Sequence, residues 1–129
     1  MKKSKKIFYS EDHLWVMPKG KNTVLVGITE YLISDKDIEK ITIDGDENSI
    51  LYVGDVVGEI ITKDDDSIEI ILPVSGKLKK INKEVIENPE IILDDPYDQG
   101  WLMEIELDQD LSSFSLLTPE EYKQLIEET

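Results

Sequence analysis

The sequence predicts a single, mainly β domain of the α+β kind, with a few short helices and one helix near its end. Short β-branched or alternating apolar runs recur along the chain, which is the pattern of strands. Turn-forming clusters separate them, among them Pro18-Lys19-Gly20-Lys21-Asn22 and Asp44-Gly45-Asp46-Glu47-Asn48. At 129 residues with 40% hydrophobic side chains, the chain can bury one modest core. Many short strands with frequent turns argue for a barrel or a sandwich.

The expected strands cover residues 6–10, 14–17, 23–28, 38–43, 55–61, 67–72, 76–81 and 101–107. Helical signals are fewer. Thr29 is suited to cap a short helix over 29–34, and another brief one starts at 108–111, with Leu111 and Phe114 three apart. The clearest helix is the last. Thr118 is its N-cap, Pro119 takes the first helical position and Glu121 closes a capping box. Tyr122, Leu125 and Ile126 then form one apolar face, suited to packing on a sheet.

The formal charge is −15, from 29 acidic and 14 basic residues. Nucleic-acid binding needs a basic face to displace counterions, and none is read outside the first six residues. Anionic membrane surfaces would repel the chain, and no apolar run reaches the ~20 residues needed to cross a bilayer. The basic start, residues 1–6, reads as a flexible soluble beginning rather than a secretory signal. With no cysteine, disulfide staples and thiol chemistry are excluded, which fits a reducing compartment. The expectation is a cytoplasmic monomer that docks to basic partner surfaces.

Independent catalysis finds no support. There is one histidine, His13, and neither a nucleophile elbow nor a phosphate-cradling glycine loop. Asp44, Asp46, Asn48 and Asp55 match a calcium-loop spacing, but Ser49 stands where that loop needs glycine and the neighbours read as strands. The run Asp64-Asp65-Asp66 reads as a solvated turn. No metal site is expected.

Several motifs in order carry a more specific signal. Tyr9-Ser10-Glu11-Asp12-His13-Leu14-Trp15-Val16 precedes Val26-Gly27-Ile28-Thr29-Glu30-Tyr31. Pro73-Val74-Ser75-Gly76-Lys77-Leu78 and Ile81-Asn82 follow. Asn88-Pro89-Glu90-Ile91-Ile92 and Asp95-Pro96-Tyr97-Asp98-Gln99-Gly100-Trp101-Leu102 complete the set. Each piece alone is weak, but together they resemble the H protein of the glycine cleavage system over roughly residues 7–128. Read structurally, Gly27, Gly76 and Gly100 supply backbone freedom at turns or bulges, and Pro73 and Pro96 fix strand entries. Trp15 and Trp101 read as core or barrel-end packing.

The resemblance implies a lipoyl/biotinyl-type domain, a flattened barrel-sandwich hybrid of two antiparallel sheets. It implies a carrier rather than an enzyme. In that family a lysine at a hairpin tip bears lipoic acid. The arm shuttles an aminomethyl group among glycine decarboxylase, aminomethyltransferase and dihydrolipoyl dehydrogenase, the P, T and L proteins.

The hairpin departs from the family pattern. The family reads Glu-Ser-Val-Lys-Ala; here the segment from Gly58 to Pro73 holds Thr62-Lys63-Asp64-Asp65-Asp66 and is one residue longer. Counting forward from Gly58 puts the lipoyl position at Asp64, and counting back from Pro73 puts it at Asp65. Neither carboxylate has an amine to acylate. Lys63 is the nearby candidate, offset by one or two residues. Leu14 also stands where the family carries a carboxylate that helps seat the amine-loaded arm. The expectation is a degenerate lipoylation site. Either Lys63 carries lipoate, or the chain is a pseudo-carrier without lipoate that docks glycine-cleavage or lipoate-handling enzymes, and the second is favoured.

Overall fold

A computed structural model describes residues 6–34 and 36–128. The strands are β1 (Phe8–Tyr9), β2 (Leu14–Pro18), β3 (Thr23–Ile28), β4 (Ile38–Ile43), β5 (Ile50–Leu51), β6 (Val56–Thr62), β7 (Ser67–Ile71), β8 (Gly76–Ile81) and β9 (Met103–Leu107). The helices are α1 (Glu30–Ile33), α2 (Lys83–Glu87), α3 (Ile91–Asp94) and α4 (Pro119–Glu127), with a 3-10 turn at Leu111–Ser113. All pairings are antiparallel. One sheet has the order β1-β2-β3-β9-β8-β5 and the other β4-β6-β7. Neither closes on itself, so the fold is a two-sheet sandwich with peripheral helices. Most of the basic start lies outside the described residues.

The two sheets share one core. Val24, Val26, Leu78, Met103 and Ile105 from the larger sheet meet Ile38, Ile41, Val57, Ile60 and Ile70 from the smaller. Strict alternation would send Val57 and Ile60 to opposite faces, as it would Ile38 and Ile41. Register shifts between Val56 and Gly58 on β6, and between Ile38 and Lys40 on β4, let both members of each pair turn inward.

Several expectations need correction. Gly27 lies inside β3 and Gly76 opens β8 rather than standing at turns, while Gly100 does lie in the turn before β9; all three make room. A Cβ on Gly27 would enter the Trp15 ring, and one on Gly76 would strike the Glu106 carbonyl. On Gly100 it would come 2.7 Å from the Asp95 carbonyl oxygen. Pro96 does not open a strand. It follows α3, and its carbonyl accepts a bond from Trp15 Nε1 at 3.0 Å. Trp15 is fully buried, whereas Trp101 is half-buried just before β9. Thr29 precedes α1 but makes no side-chain cap. The lysines of β8 lie beside acids: Lys77 is in register with Glu106, and Lys80 with Glu104.

The capping box of α4 forms as expected. The Glu121 N–H donates to Thr118 Oγ1 at 3.2 Å, and the Thr118 N–H to Glu121 Oε1 at 2.9 Å. Tyr122 is the buried residue of that helix and rests flat against Tyr9 of β1, ring centroids 4.4 Å apart.

Candidate functional site

The hairpin joining β6 and β7 ends in a three-residue loop. The Asp65 N–H donates to the Thr62 carbonyl at 3.1 Å, and the Thr62 N–H to the Asp66 carbonyl at 2.9 Å. Asp65 takes φ 68. This is the pattern of a hairpin turn closed by a residue in the left-handed region, a position that aspartate tolerates better than most. Lys63 and Asp64 are its two central residues.

Thr62 anchors the turn from below. It is buried at 4% exposure, and its hydroxyl accepts from the Asp66 N–H at 3.1 Å. The Lys63 N–H donates to the Asp37 carbonyl at 2.9 Å, tying the tip to the start of β4. At the turn's shoulder Ser67 Oγ donates to Glu59 Oε2 at 2.6 Å. The side chains of Lys63, Asp64, Asp65 and Asp66 are exposed. Among the described residues the salt bridge found is Lys19–Glu104, far from this tip in sequence.

Both candidate positions from the sequence therefore stand on the turn: Asp64 at its second central position, Asp65 at its left-handed corner. Lys63 stands first and is exposed. Lipoate attaches through an amide and needs an amine. Asp64 and Asp65 do not fit that group; Lys63 alone among the tip residues has the chemistry.

Leu14 is fully buried, opposite Ile28 in β3, and belongs to the core between the sheets. Its side chain helps close the interior and offers no charge to the surface.

Near it lies an aromatic group that the sequence did not single out. The Tyr122 hydroxyl sits 2.9 Å from His13 Nδ1 and 2.7 Å from Thr29 Oγ1. This bond takes the Thr29 hydroxyl away from α1. The His13 ring lies 4.8 Å from that of Tyr31. Burial pushes the His13 pKa below its ordinary 6.5, with the Asp12 charge opposing. Burial likewise raises Tyr9, Tyr97 and Tyr122 above 10.0. The Tyr122 hydroxyl is thus shared between the His13 ring nitrogen and the Thr29 hydroxyl, the direction of each bond following the His13 tautomer. The spacing of Tyr9, His13 and Tyr122, the last in another element altogether, offered no local signal that they meet.

In the acidic loop with calcium-like spacing, the Asp55 carboxylate is taken by the backbone. Asp55 accepts from the Tyr52 N–H at 3.0 Å, and the Asp46 carbonyl from the Ser49 N–H at 3.1 Å. Among the described residues no three histidine or carboxylate side chains converge as metal ligands.

Comparison with known proteins matches these features to one family. Residues 7–129 match the family model described as glycine cleavage H-protein. A glycine cleavage system H protein of Carboxydothermus hydrogenoformans is 34% identical over 125 residues, covering 96% of this chain and 94% of that protein. One of Staphylococcus haemolyticus is 34% identical over 124 residues, covering 93% and 94%. The solved structure of a glycine cleavage system H protein from Mycobacterium marinum superposes with a TM-score of 0.82 at 25% identity, covering 95% of this chain and 97% of the other. Matched by the family model over nearly its whole length and by relatives at 34% identity, this chain belongs to the glycine cleavage H-protein family, whose members are carriers rather than catalysts.

Proposed function

We propose that this chain works in the glycine cleavage system as an H-protein-like scaffold whose usual lipoyl position is vacated. It docks the system's enzymes, or the enzymes that handle lipoate, without presenting an arm of its own. The observation that carries this reading is the chemistry of the tip. The two positions reached by counting from Gly58 and from Pro73 are Asp64 and Asp65, and a carboxylate cannot be acylated by lipoate. Leu14 supports it independently, because a buried leucine gives an amine-loaded arm no carboxylate to rest against. The partners are glycine decarboxylase, aminomethyltransferase, dihydrolipoyl dehydrogenase or lipoate-handling enzymes. The protein acts as a cytoplasmic monomer, away from nucleic acid and membrane.

A second reading keeps the carrier role and moves the arm to Lys63. It is favoured by one observation: Lys63 is exposed at the turn, one residue before Asp64, with its backbone held by Asp37. Intact-mass spectrometry of protein purified from its native host separates the two. The expected result is the unmodified mass, with no turnover when the chain replaces the H component in a reconstituted glycine cleavage assay. A lipoyl-sized increase mapped to Lys63 overturns the armless scaffold.

A further inference from the structure

Four of the large hydrophobic side chains most exposed to solvent crowd into one short segment: Ile50 at 54% exposure, Tyr52 at 59%, Val53 at 54% and Val56 at 46%. Ile50 lies on β5, Tyr52 and Val53 follow it, and Val56 opens β6; β5 is the end strand of the six-stranded sheet and, among the described residues, pairs with β8 alone. Among the described residues no strand pairs with its other edge.

The segment is held firmly in this exposed position. The Tyr52 N–H donates to the Asp55 carboxylate at 3.0 Å, and the Val53 N–H to Ser75 Oγ at 2.8 Å. Ser75 is itself buried. The Gly54 N–H reaches the Leu72 carbonyl at 2.8 Å, and the Leu72 N–H returns to the Asp55 carbonyl at 2.9 Å. Gly54 takes φ 92, where a side chain would be strained. A turn serving only to reverse the chain could use polar residues. This one fixes its backbone and holds apolar side chains in water, which is unfavourable unless something covers them.

A cleft of about 280 Å³ adjoins the turn, with Val53, Leu72 and Phe114 in its walls alongside Glu11 and Asp12. The surroundings are acidic. Asp55 lies within the turn, and Asp44, Asp46 and Glu47 lie in the loop whose Gly45 approaches Leu51 of β5. Lys77, in register with Ile50, is also in register with Glu106 on its other side. Pairing this face with a second copy would bring acidic rims together in a chain of charge −15.

We infer that the 50–56 turn and its cleft form a docking face for a partner protein that offers an apolar socket ringed by lysine and arginine. The inference rests on the scaffold reading, and says which surface of the scaffold the enzyme grips. The face lies at the base of the β6–β7 hairpin. The seven residues of β6 put the tip about 20 Å away at strand rise. One enzyme can therefore hold the base and leave the tip free.

The test is titration of the full chain with purified glycine decarboxylase, aminomethyltransferase and dihydrolipoyl dehydrogenase from the same host. The double substitution Tyr52→Ala with Val53→Asp is compared with the wild type. Because both side chains are exposed, the variant keeps its fold, which circular dichroism and thermal melting verify. The expected result is binding of at least one enzyme by the wild type, weakened about tenfold or more in the variant, as for loss of a central aromatic anchor. Affinity also falls between about 0.05 M and about 0.5 M salt, as an acidic-to-basic contact requires. Equal binding by both chains overturns the docking face and leaves the scaffold reading standing. Failure of the wild type to bind any of the three, or the host's lipoate-attaching ligase titrated alongside them, overturns both. Self-association of the wild type that the variant abolishes, seen by sedimentation, makes a second copy the occupant and overturns the inferred partner.

Discussion

His13 takes φ 68, packs against Tyr31 and shares the Tyr122 hydroxyl with Thr29. Its folded pKa lies below the unfolded value because burial disfavours the cation. The sign follows from proton counting. Between the lowered folded pKa and about 6.5 the unfolded chain binds more protons, so stability is full above about pH 6.5 and falls as pH drops through that window. His13→Asn tolerates the left-handed backbone and removes the titration. Urea unfolding from pH 7.5 down to pH 5 should show a shallower loss of stability in His13→Asn than in the wild type. An identical slope in the two proteins would show that His13 does not contribute.

At the scale of the hairpin, the corner residue Asp65 is the position where backbone conformation constrains the side chain. Its φ of 68 is costly for a β-branched residue and free for glycine. Asp65→Val should lose about 1–2 kcal/mol in urea unfolding, and Asp65→Gly should lose nothing. The sequence disclosed this hairpin, the β2–β3 hairpin and the α4 cap because their signals are local: turn residues, alternation, and Thr118 with Glu121. It did not disclose β5, α2 or α3. Each is two to five residues long and is held by distant groups. Asn82, just ahead of α2, spends its side chain on the carbonyls of Gln99 and Trp101, at 3.0 and 2.8 Å, instead of capping. The bulges that turn Val57 and Ile38 inward were equally silent, because register depends on the neighbouring strand. Of the candidate site, the identity of the tip residues was legible. The meeting of His13, Thr29 and Tyr122 was not, since 93 or more residues separate Tyr122 from its two partners.

Across the whole molecule the dominant fact is charge. With −15 on 129 residues and little internal pairing among the described residues, the compact state repels itself. Raising sodium chloride from about 10 mM to about 150 mM should raise the melting temperature, because the screening length shrinks from ~30 Å to ~8 Å. A melting temperature that falls or stays fixed would mean the folded charges are better arranged than the unfolded ones. The same molecule holds its hairpin tip without using any tip side chain. The turn is fastened by main-chain bonds and by the Thr62 hydroxyl beneath it. The mount is thus separable from its cargo. Positions 63 and 64 can be rewritten while the post that displays them stays rigid, so an amine could be lost here without loss of the fold, and Asp64→Lys would restore one on the same mount.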